Sequence, residues 1–350
     1  DMRDLKNKLT SGKNTKNIKS RRGKSFGYQV LGFGAGGSSA VFICATGGTI
    51  TTSGDCKIHT FTGNATFTVN EVASCVDQNV VSYLVVAGGG GTVKDRSGGA
   101  GAGGFREYKG PAQSYTASPL DGSPGGAGSG TAITVTAQGY PIVIGGGGAA
   151  TNSPPVNVTG NSGVPSSFST ITSTAGGGGG GTTSIGANGG SGGGAGSNTP
   201  PNAIGEGNTP PVTPSQGRNG GVGGSSSPPV GNSGGGGATA IGVDGSPPSG
   251  GAGGAGAGTL INPATGEAGP GPSRYYSGGG GGGHDGSSPG AGGIGGGGNG
   301  ARGPYPGCSV AAENGTGNTG GGAGSSNGGG ASQPGAIGGS GIVIIRYKFQ

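Results

Sequence analysis

The sequence has 350 residues, of which 99 are glycine, 23 are proline and only 28% are hydrophobic. This composition excludes ordinary domains with large apolar cores, and 9% charged residues is also too few for a typical charged disordered protein. The net charge of +6 is concentrated in residues 1–24, where nine lysines and arginines stand against two aspartates, so the rest of the chain is nearly neutral.

Residues 1–24 form a basic arm. We interpret it as a solvated tail or as a segment that orders against an acidic or subunit surface; phosphate binding is a third interpretation. No aromatic residue is interleaved with its lysines, so this pattern does not favour nucleic acid as a partner. The basic residues expected to anchor the chain to other proteins of an assembly are Arg3, Lys6, Lys8, Arg21 and Arg22.

Residues 25–45 are apolar with glycine breaks, and they contain Phe26, Tyr28, Leu31 and Phe33. Burial of such side chains against a partner would supply roughly 1.5–3 kcal/mol each, so we predict a docking segment. No apolar h-region follows the basic arm, and no apolar run approaches the ~20 residues of a membrane span. We therefore expect neither a secretory signal nor membrane insertion.

Residues 46–87 show the alternation of β-strands. Gly54 and Asp55 predict a turn, and the segments 57–61 and 66–69 predict a hairpin around a second turn. The side chains expected in its core are Ile58, Phe61, Phe67 and Val69. Cys56 and Cys75 flank this hairpin, and whether they form a disulfide is left open.

Two continuous apolar segments, 80–87 and 342–347, are typical of strands buried on both faces. We predict that they pair, because a structureless insertion as long as the chain between them is rare in a compact fold. The predicted fold class is all-β. A small β-sandwich-like module (46–90 plus 338–350) is closed by the C-terminal strand, and a long glycine-rich body (91–337) is inserted into it.

Glycine blocks in the body, such as 176–181 and 278–283, predict polyglycine or polyproline-II helices packed side by side. Such helices have three residues per turn, and their free N–H and C=O groups bond to neighbouring helices. Five Ser/Thr-Pro-Pro sequences predict rigid exposed turns, since proline cannot donate a lateral hydrogen bond. A short hairpin is expected within 131–144, and a further β segment at 167–172.

Several segments carry a resemblance to a known group of proteins. The sequences SYLVVAGGGG (82–91), GAGGFREY (101–108) and GGSGIVIIRY (338–347) resemble the glycine-rich proteins encoded by marine bacteriophages, especially cyanophages. The resemblance covers nearly the whole chain. It implies a virion structural protein, a tail fibre or fibre-like appendage, assembled in the host cytoplasm and associated with other virion proteins. By analogy with polyglycine-II domains of phage adhesins, it also implies a body built of polyglycine-II helices, and we expect a homotrimer.

An enzyme is not expected, and no catalytic, cofactor or metal site is predicted. His59 lies on a predicted strand, His284 and Asp285 lack further ligands for a metal, and GNSGG (231–235) matches a nucleophile motif by chance in a chain this rich in glycine. Polar and aromatic residues that are predicted to be exposed at turns suit contact with a host receptor, either a glycan or a protein. These candidates are Arg274, Tyr275, Tyr276, His284, Asp285 and Tyr305. The alternative is that they cap rod ends or pack between subunits.

Three rival functions remain open from the sequence. The first is a capsid or tail decoration protein without a receptor role, and the second is a self-polymerising surface or filament protein. The third is a nucleic-acid-binding protein that uses the basic arm. The last would show a steep dependence of binding on salt.

Overall fold

The computed structural model describes residues 41–152, 157–199, 204–223, 230–286, 288–303, 309–327 and 333–350. All elements named below lie in one compact unit, Phe42–Gln350. The predicted basic arm, the docking residues Phe26, Tyr28, Leu31 and Phe33, and the predicted contact residue Tyr305 lie outside the described residues. No helix within the described ranges is long and apolar enough to span a bilayer.

The described chain is built of short strands joined by long extended segments. The first strands are β1 (Cys44–Thr46), β2 (Thr49–Ser53), β3 (Cys56–Phe61), β4 (Ala65–Glu71), β5 (Val80–Val86), β6 (Phe105–Tyr108) and β7 (Ile133–Thr134), with one 3-10 turn at Val76–Asn79. The later strands are β8 (Gly139–Val143), β9 (Ser166–Phe168), β10 (Ile171–Ser173), β11 (Ala257–Thr259), β12 (Glu267–Ala268), β13 (Arg274–Tyr276) and β14 (Ile342–Lys348).

These strands form three antiparallel sheets. The first has the order β2-β3-β14-β5-β6, with β7 paired to the beginning of β5, and the second has the order β1-β4-β8-β9-β10. A third, small sheet has the order β11-β13-β12. The predicted all-β fold is therefore confirmed. Strands β6 to β10 come from the range assigned to the glycine-rich body, and they complete the two larger sheets.

The C-terminal strand β14 lies in the middle of the first sheet. It pairs with β5 from Ile342 opposite Val86 to Arg346 opposite Ser82, and on its other side it pairs with β3. This confirms that the two apolar segments pair and close the module. Both segments are continuously apolar because each of their faces is covered.

Two apolar cores lie on opposite faces of the first sheet. One is shared with the second sheet and contains Phe67 and Phe168 from that sheet, with Val343 and Ile345 from β14. The other lies beneath the third sheet and the segments beside it, and its members from the first sheet include Leu84, Ile342 and Ile344. The first sheet is thus the central layer, and the first two sheets form the predicted sandwich.

All four predicted core residues of the first β region are buried. Phe61, Phe67 and Val69 lie in the core between the two large sheets, whereas Ile58 lies in the opposite core. Ile43 and Ala45, from the segment assigned to docking, are also buried in the sandwich core. These two side chains therefore pack inside the chain's own fold.

The predicted hairpins are wrong in their pairing. The segments 57–61 and 66–69 lie in different sheets, because β3 pairs with β2 and β14 while β4 pairs with β1 and β8. Within 131–144, β7 pairs with β5 and β8 pairs with β4 and β9. Alternation identifies a strand but not its neighbour, which is decided by burial over long sequence distances. The turn at Gly54 and Asp55 is confirmed, since it joins β2 to β3.

Smaller features of the prediction have mixed outcomes. The β segment at 167–172 is a hairpin of β9 and β10, in which Ser169 adopts a left-handed φ of 53°. Cys56 is a buried free thiol and Cys75 is an exposed one, so they form no disulfide here. The described double prolines, 210–211 and 247–248, are exposed as expected.

The glycine runs form a lattice held by backbone hydrogen bonds, which we call the glycine lattice (the runs 88–91, 98–103, 176–181 and 278–283 with the segments bonded to them). In the run 278–283, the backbone N–H groups of residues 278 and 281 donate to the segment 295–298. Those of residues 279 and 282 donate to the segment 251–254, and that of Gly280 donates to the carbonyl of Ala100. The N···O distances are 2.8–3.0 Å. Such a three-residue period, directed at three different neighbours, is the pattern expected for packed polyglycine-II helices.

Candidate functional site

A cavity of about 710 Å³ opens where β6 ends. We call it the β6 cleft; it is lined by residues 108–111, 113, 115–118, 121 and 123–126. Its floor is the end of β6. The segment 113–118 forms its first wall, and the segment 121–126 forms its second wall. A volume of this size lies within the range of small-molecule sites in proteins.

Asp121 holds the second wall of the cleft in place. Its Oδ1 atom accepts hydrogen bonds from the backbone N–H groups of Lys109 (2.8 Å) and Ser123 (3.0 Å), and its Oδ2 atom accepts one from the Ser123 hydroxyl at 2.6 Å. The backbone N–H of Gly122 also donates to the carbonyl of Glu107. The loop is therefore fixed to β6 by both main-chain and side-chain bonds.

Glu107 lies beneath the cleft and is only 3% exposed. Its Oε1 atom accepts a hydrogen bond from the Thr259 hydroxyl at 2.6 Å, and its Oε2 atom accepts one from the backbone N–H of Ser118 at 2.9 Å. Burial raises the pKa of Glu107 to about 7, although these hydrogen bonds act in the opposite direction. The carboxyl thus ties the first wall of the cleft to the small sheet.

Tyr115 forms part of the first wall, with two cationic groups near its ring. The Lys109 Nζ atom lies 5.6 Å from the ring centroid, and the guanidinium carbon of Arg346 lies 5.2 Å from it. Arg346 is itself buried and donates to the carbonyl of Ile261 at 3.2 Å. Burial raises the pKa of the Tyr115 hydroxyl well above its ordinary value, so the residue is neutral at physiological pH.

The part of the chain that matches a known family begins and ends on strands of the first sheet. The model of the family described as a glycine-rich domain matches residues 59–348, from within β3 to the end of β14. The chain belongs to the glycine-rich domain family. No curated protein matches the sequence. The matched region of the glycine-rich domain contains the glycine lattice, the β6 cleft and the strand pair that closes the module.

The predicted contact residues lie in two places in the glycine-rich domain. Arg274, Tyr275 and Tyr276 form β13, and Tyr276 is fully buried, with its hydroxyl 2.8 Å from that of Thr265. The prediction that Tyr276 is exposed is therefore wrong. A strand alternates its side chains, so burying the ring of Tyr276 in the core turns that of Tyr275 outward.

Tyr275 lines a second, smaller cavity of about 400 Å³, which we call the β13 cleft. Leu120 and Arg218 also line it. Arg274 is half-buried, and its Nε atom donates to the carbonyl of Pro263 at 2.7 Å. The β13 cleft and the β6 cleft lie on either side of the chain segment 116–120, which contributes to both.

His284 and Asp285 lie in a separate polar cluster. His284 is only 4% exposed; its Nε2 atom lies 3.0 Å from the carbonyl oxygen of Pro247, and its Nδ1 atom accepts from the backbone N–H of Gly286 at 3.0 Å. The prediction that His284 is exposed at a turn is wrong, because the histidine fastens two turns to each other. Asp285 forms an ion pair with Arg96 at 3.4 Å.

His59 is a core residue, as its position on a strand suggested. It is fully buried, with Nδ1 2.7 Å from the carbonyl oxygen of Gly47 and Nε2 2.9 Å from the hydroxyl of Tyr347. Burial lowers the pKa of the imidazole, so the ring is held in its neutral form. In the described parts of the chain, no three residues among His, Cys, Asp and Glu lie together as metal ligands would.

Sequence reasoning missed the residues of the β6 cleft. Glu107 and Asp121 are separated in sequence, yet they are neighbours in a parallel bridge between strand and loop. One signal was present: Glu107 follows Phe105 by two residues, which places a carboxyl on the apolar face of the same strand. An acidic residue on a core face indicates a buried polar site.

Proposed function

We propose that the protein is a non-enzymatic structural component of a phage virion, a tail fibre or fibre-like appendage that presents a rigid glycine-rich body for host attachment. The resemblance to marine phage proteins suggests this function, and membership of the glycine-rich domain family agrees with it. Residues 1–40 anchor the chain to other virion proteins, and a homotrimer is the proposed assembled form.

The glycine lattice is the observation that carries the proposal. Its segments are joined by main-chain hydrogen bonds in several directions, so the body is stiff without a large apolar core. Loops and clefts at the surface of a stiff body are held ready for contact with a receptor, and little ordering entropy is lost on binding. The half-buried ring of Tyr275 at the β13 cleft is one such contact surface.

The first experiment locates the chain on a particle. Antibodies raised against the full chain are used for immunogold labelling of particles of the encoding phage, followed by cryo-electron microscopy of the labelled structure. We expect label and density on a tail or other appendage. Particles that lack the chain entirely would refute the proposal, and label spread over the capsid shell would favour the decoration alternative.

A second experiment tests the anchor. Deletion of residues 1–40 leaves β1 and the buried Ile43 intact, so the fold is retained. We expect the shortened chain to fold but not to enter particles. As the matched control, a full-length chain with Arg21→Gln and Arg22→Gln shows whether charge alone is needed. Incorporation of the shortened chain at the normal level would show that the anchor lies elsewhere.

One observation favours self-polymerisation as a second candidate. Strand β2 forms one edge of the first sheet, and Thr49 to Thr52 are exposed on both of its faces. An edge strand without charged or proline residues is a template for pairing with another chain. Electron microscopy of the purified protein distinguishes the two candidates: filaments that disappear with Ile50→Lys would support polymerisation over the fibre.

A further inference from the structure

We infer that the β6 cleft is a saccharide-binding site. The inference deepens the proposed attachment role and rests on it, because it assigns the host contact to a particular site and ligand class. It concerns a different place from the residues that the sequence suggested for receptor contact.

The first argument is the chemistry of the lining. Tyr108 and Tyr115 contribute aromatic surface, while Lys109, Gln113 and Asp121 contribute donors and acceptors. The lining combines these polar side chains with aromatic, proline and glycine surface, and polar groups fixed in place give a small-molecule site its orientation and specificity. Rings beside hydroxyl-binding groups match the alternating apolar and hydroxyl faces of a sugar.

The second argument is the charge balance. The cleft carries one cationic side chain, Lys109, and one carboxylate, Asp121, and these charges cancel. A phosphate or polyanion would meet Asp121, and a cation would meet Lys109, at a cost in each case. A neutral ligand rich in hydroxyl groups bonds to both, because a hydroxyl donates to the carboxylate and accepts from the ammonium group.

The third argument is preorganisation. The Asp121 carboxylate accepts hydrogen bonds from the backbone N–H groups of Lys109 and Ser123, and the Tyr108 ring is stacked on Tyr83 with a centroid distance of 5.9 Å. The Oε1 atom of Gln113 accepts a hydrogen bond from the Cys56 thiol at 3.2 Å, so its Nε2 group is the part of the amide left to donate to a ligand. Groups already fixed in place lose little entropy when a ligand binds.

Gly125 offers a variant that blocks the cleft without disturbing the fold. It lines the cavity, and a Cβ atom at this position would meet no other atom within 4 Å. Gly125→Phe therefore adds a ring at the lining of the cleft without a backbone clash. The matched control is Gly63→Phe, since Gly63 is exposed, equally open at Cβ and located in the turn between β3 and β4.

The test uses the full chain and saturation-transfer NMR with methyl glycosides of glucose, galactose, mannose, heptose and N-acetylglucosamine, and with a lipopolysaccharide core oligosaccharide. We expect signal transfer from at least one saccharide, with at least a tenfold loss of affinity in Gly125→Phe and unchanged affinity in Gly63→Phe. Thermal unfolding of both variants checks that they are folded.

Two results would overturn the inference: no transfer from any of these saccharides, or equal binding by a folded Gly125→Phe protein. Adsorption of phage particles separates this inference from the attachment role. Particles that carry Gly125→Phe and adsorb normally would refute the assignment of host contact to this cleft and leave the virion role intact. Saccharide binding by a chain that is absent from particles would refute the virion role alone.

Discussion

At Gly280 the neighbouring backbone approaches too closely for any side chain. A Cβ atom there would overlap the carbonyl oxygen of Ala323, and Gly176 stands in the same relation to the carbonyl of Gly101. Neither glycine has a left-handed φ, so the requirement comes from lateral packing rather than from conformational freedom. Elsewhere in the lattice, alanines such as Ala100 are fully buried, because their methyl groups fill the small spaces that remain.

The first prediction concerns this packing. Gly280→Ala is expected to lower the free energy of unfolding by about 1–3 kcal/mol, because the backbone of the next segment must move away. Gly63→Ala, whose Cβ meets no other atom, is expected to change it by less than about 0.5 kcal/mol. Chemical denaturation of both variants measures the difference. Equal stabilities would contradict a close-packed lattice.

The second prediction concerns Glu107. Its pKa is raised from 4.5 to about 7 by burial, so its contribution to stability is full below about pH 4.5 and is lost as pH rises through about 7. By about pH 8 the free energy of unfolding is lower by roughly 3 kcal/mol than it would be with a residue that does not titrate at this position. His59 acts in the opposite direction, because its lowered pKa removes stability as pH falls.

Glu107→Gln isolates this effect, because His59 contributes equally to both proteins. As pH rises from about 5 to about 8, the free energy of unfolding of the wild type falls while that of the variant does not. We therefore expect the variant to gain stability relative to the wild type over this range, as measured by denaturation at a series of pH values. A difference between the two proteins that does not depend on pH would show that Glu107 titrates normally.

At the scale of elements, β14 supports both cores at once. Val343 and Ile345 face the sandwich core, whereas Ile342 and Ile344 face the opposite one. The strand also separates β3 from β5, which are bonded to each other only through it in the first sheet. Without β14, two strand edges and both apolar faces would be exposed to water.

The third prediction is that a chain ending at residue 341 does not fold cooperatively. Removal of β14 deletes the fully buried apolar side chains of residues 342–345 and 347, each worth roughly 1.5–3 kcal/mol, so the loss is comparable to the whole stability of a typical domain. Circular dichroism and thermal denaturation measure the effect. Removal of Gln350 alone, which is exposed, serves as the control and should leave the transition unchanged. A sharp thermal unfolding transition in the shorter chain would show that the core forms without β14.

At the scale of the whole molecule, the glycine lattice and the sheets form one hydrogen-bonded body. Gly88 lies two residues after the end of β5, and its N–H donates to the carbonyl of Val164, while the N–H of Gly341, immediately before β14, donates to the carbonyl of Gly145. The lattice thus begins and ends on the strands that close the sandwich. Its glycines are buried although the local sequence has the composition of a linker.

The fourth prediction follows from that continuity. Backbone amides in the runs 176–181 and 278–283 are expected to exchange hydrogen as slowly as those of β14, because all require opening of the same body. Hydrogen exchange followed by mass spectrometry compares the three segments directly. Exchange of the glycine runs within seconds, as in a flexible linker, would contradict the lattice.

The sequence by itself determined that two apolar segments are buried strands and that the glycine runs pack laterally. The continuous apolar runs 80–87 and 342–347 predicted a closed module, and the repeated glycines predicted lateral packing without side chains. Both inferences depend on local composition and on the need to satisfy every backbone group. The exposed positions of the double prolines follow from the same rule, because proline has no N–H to donate.

Only the tertiary structure decided the neighbours of each strand and the location of the clefts. Strands β3 and β4 look like a hairpin, yet burial on two different cores sends them into separate sheets. Arg346 is far from Tyr115 in sequence, and the two side chains meet because β14 pairs with β5, whose other edge is bonded to β6. Local patterns carry no information about such long-range pairing, since its free energy comes from surfaces that meet only in the folded chain.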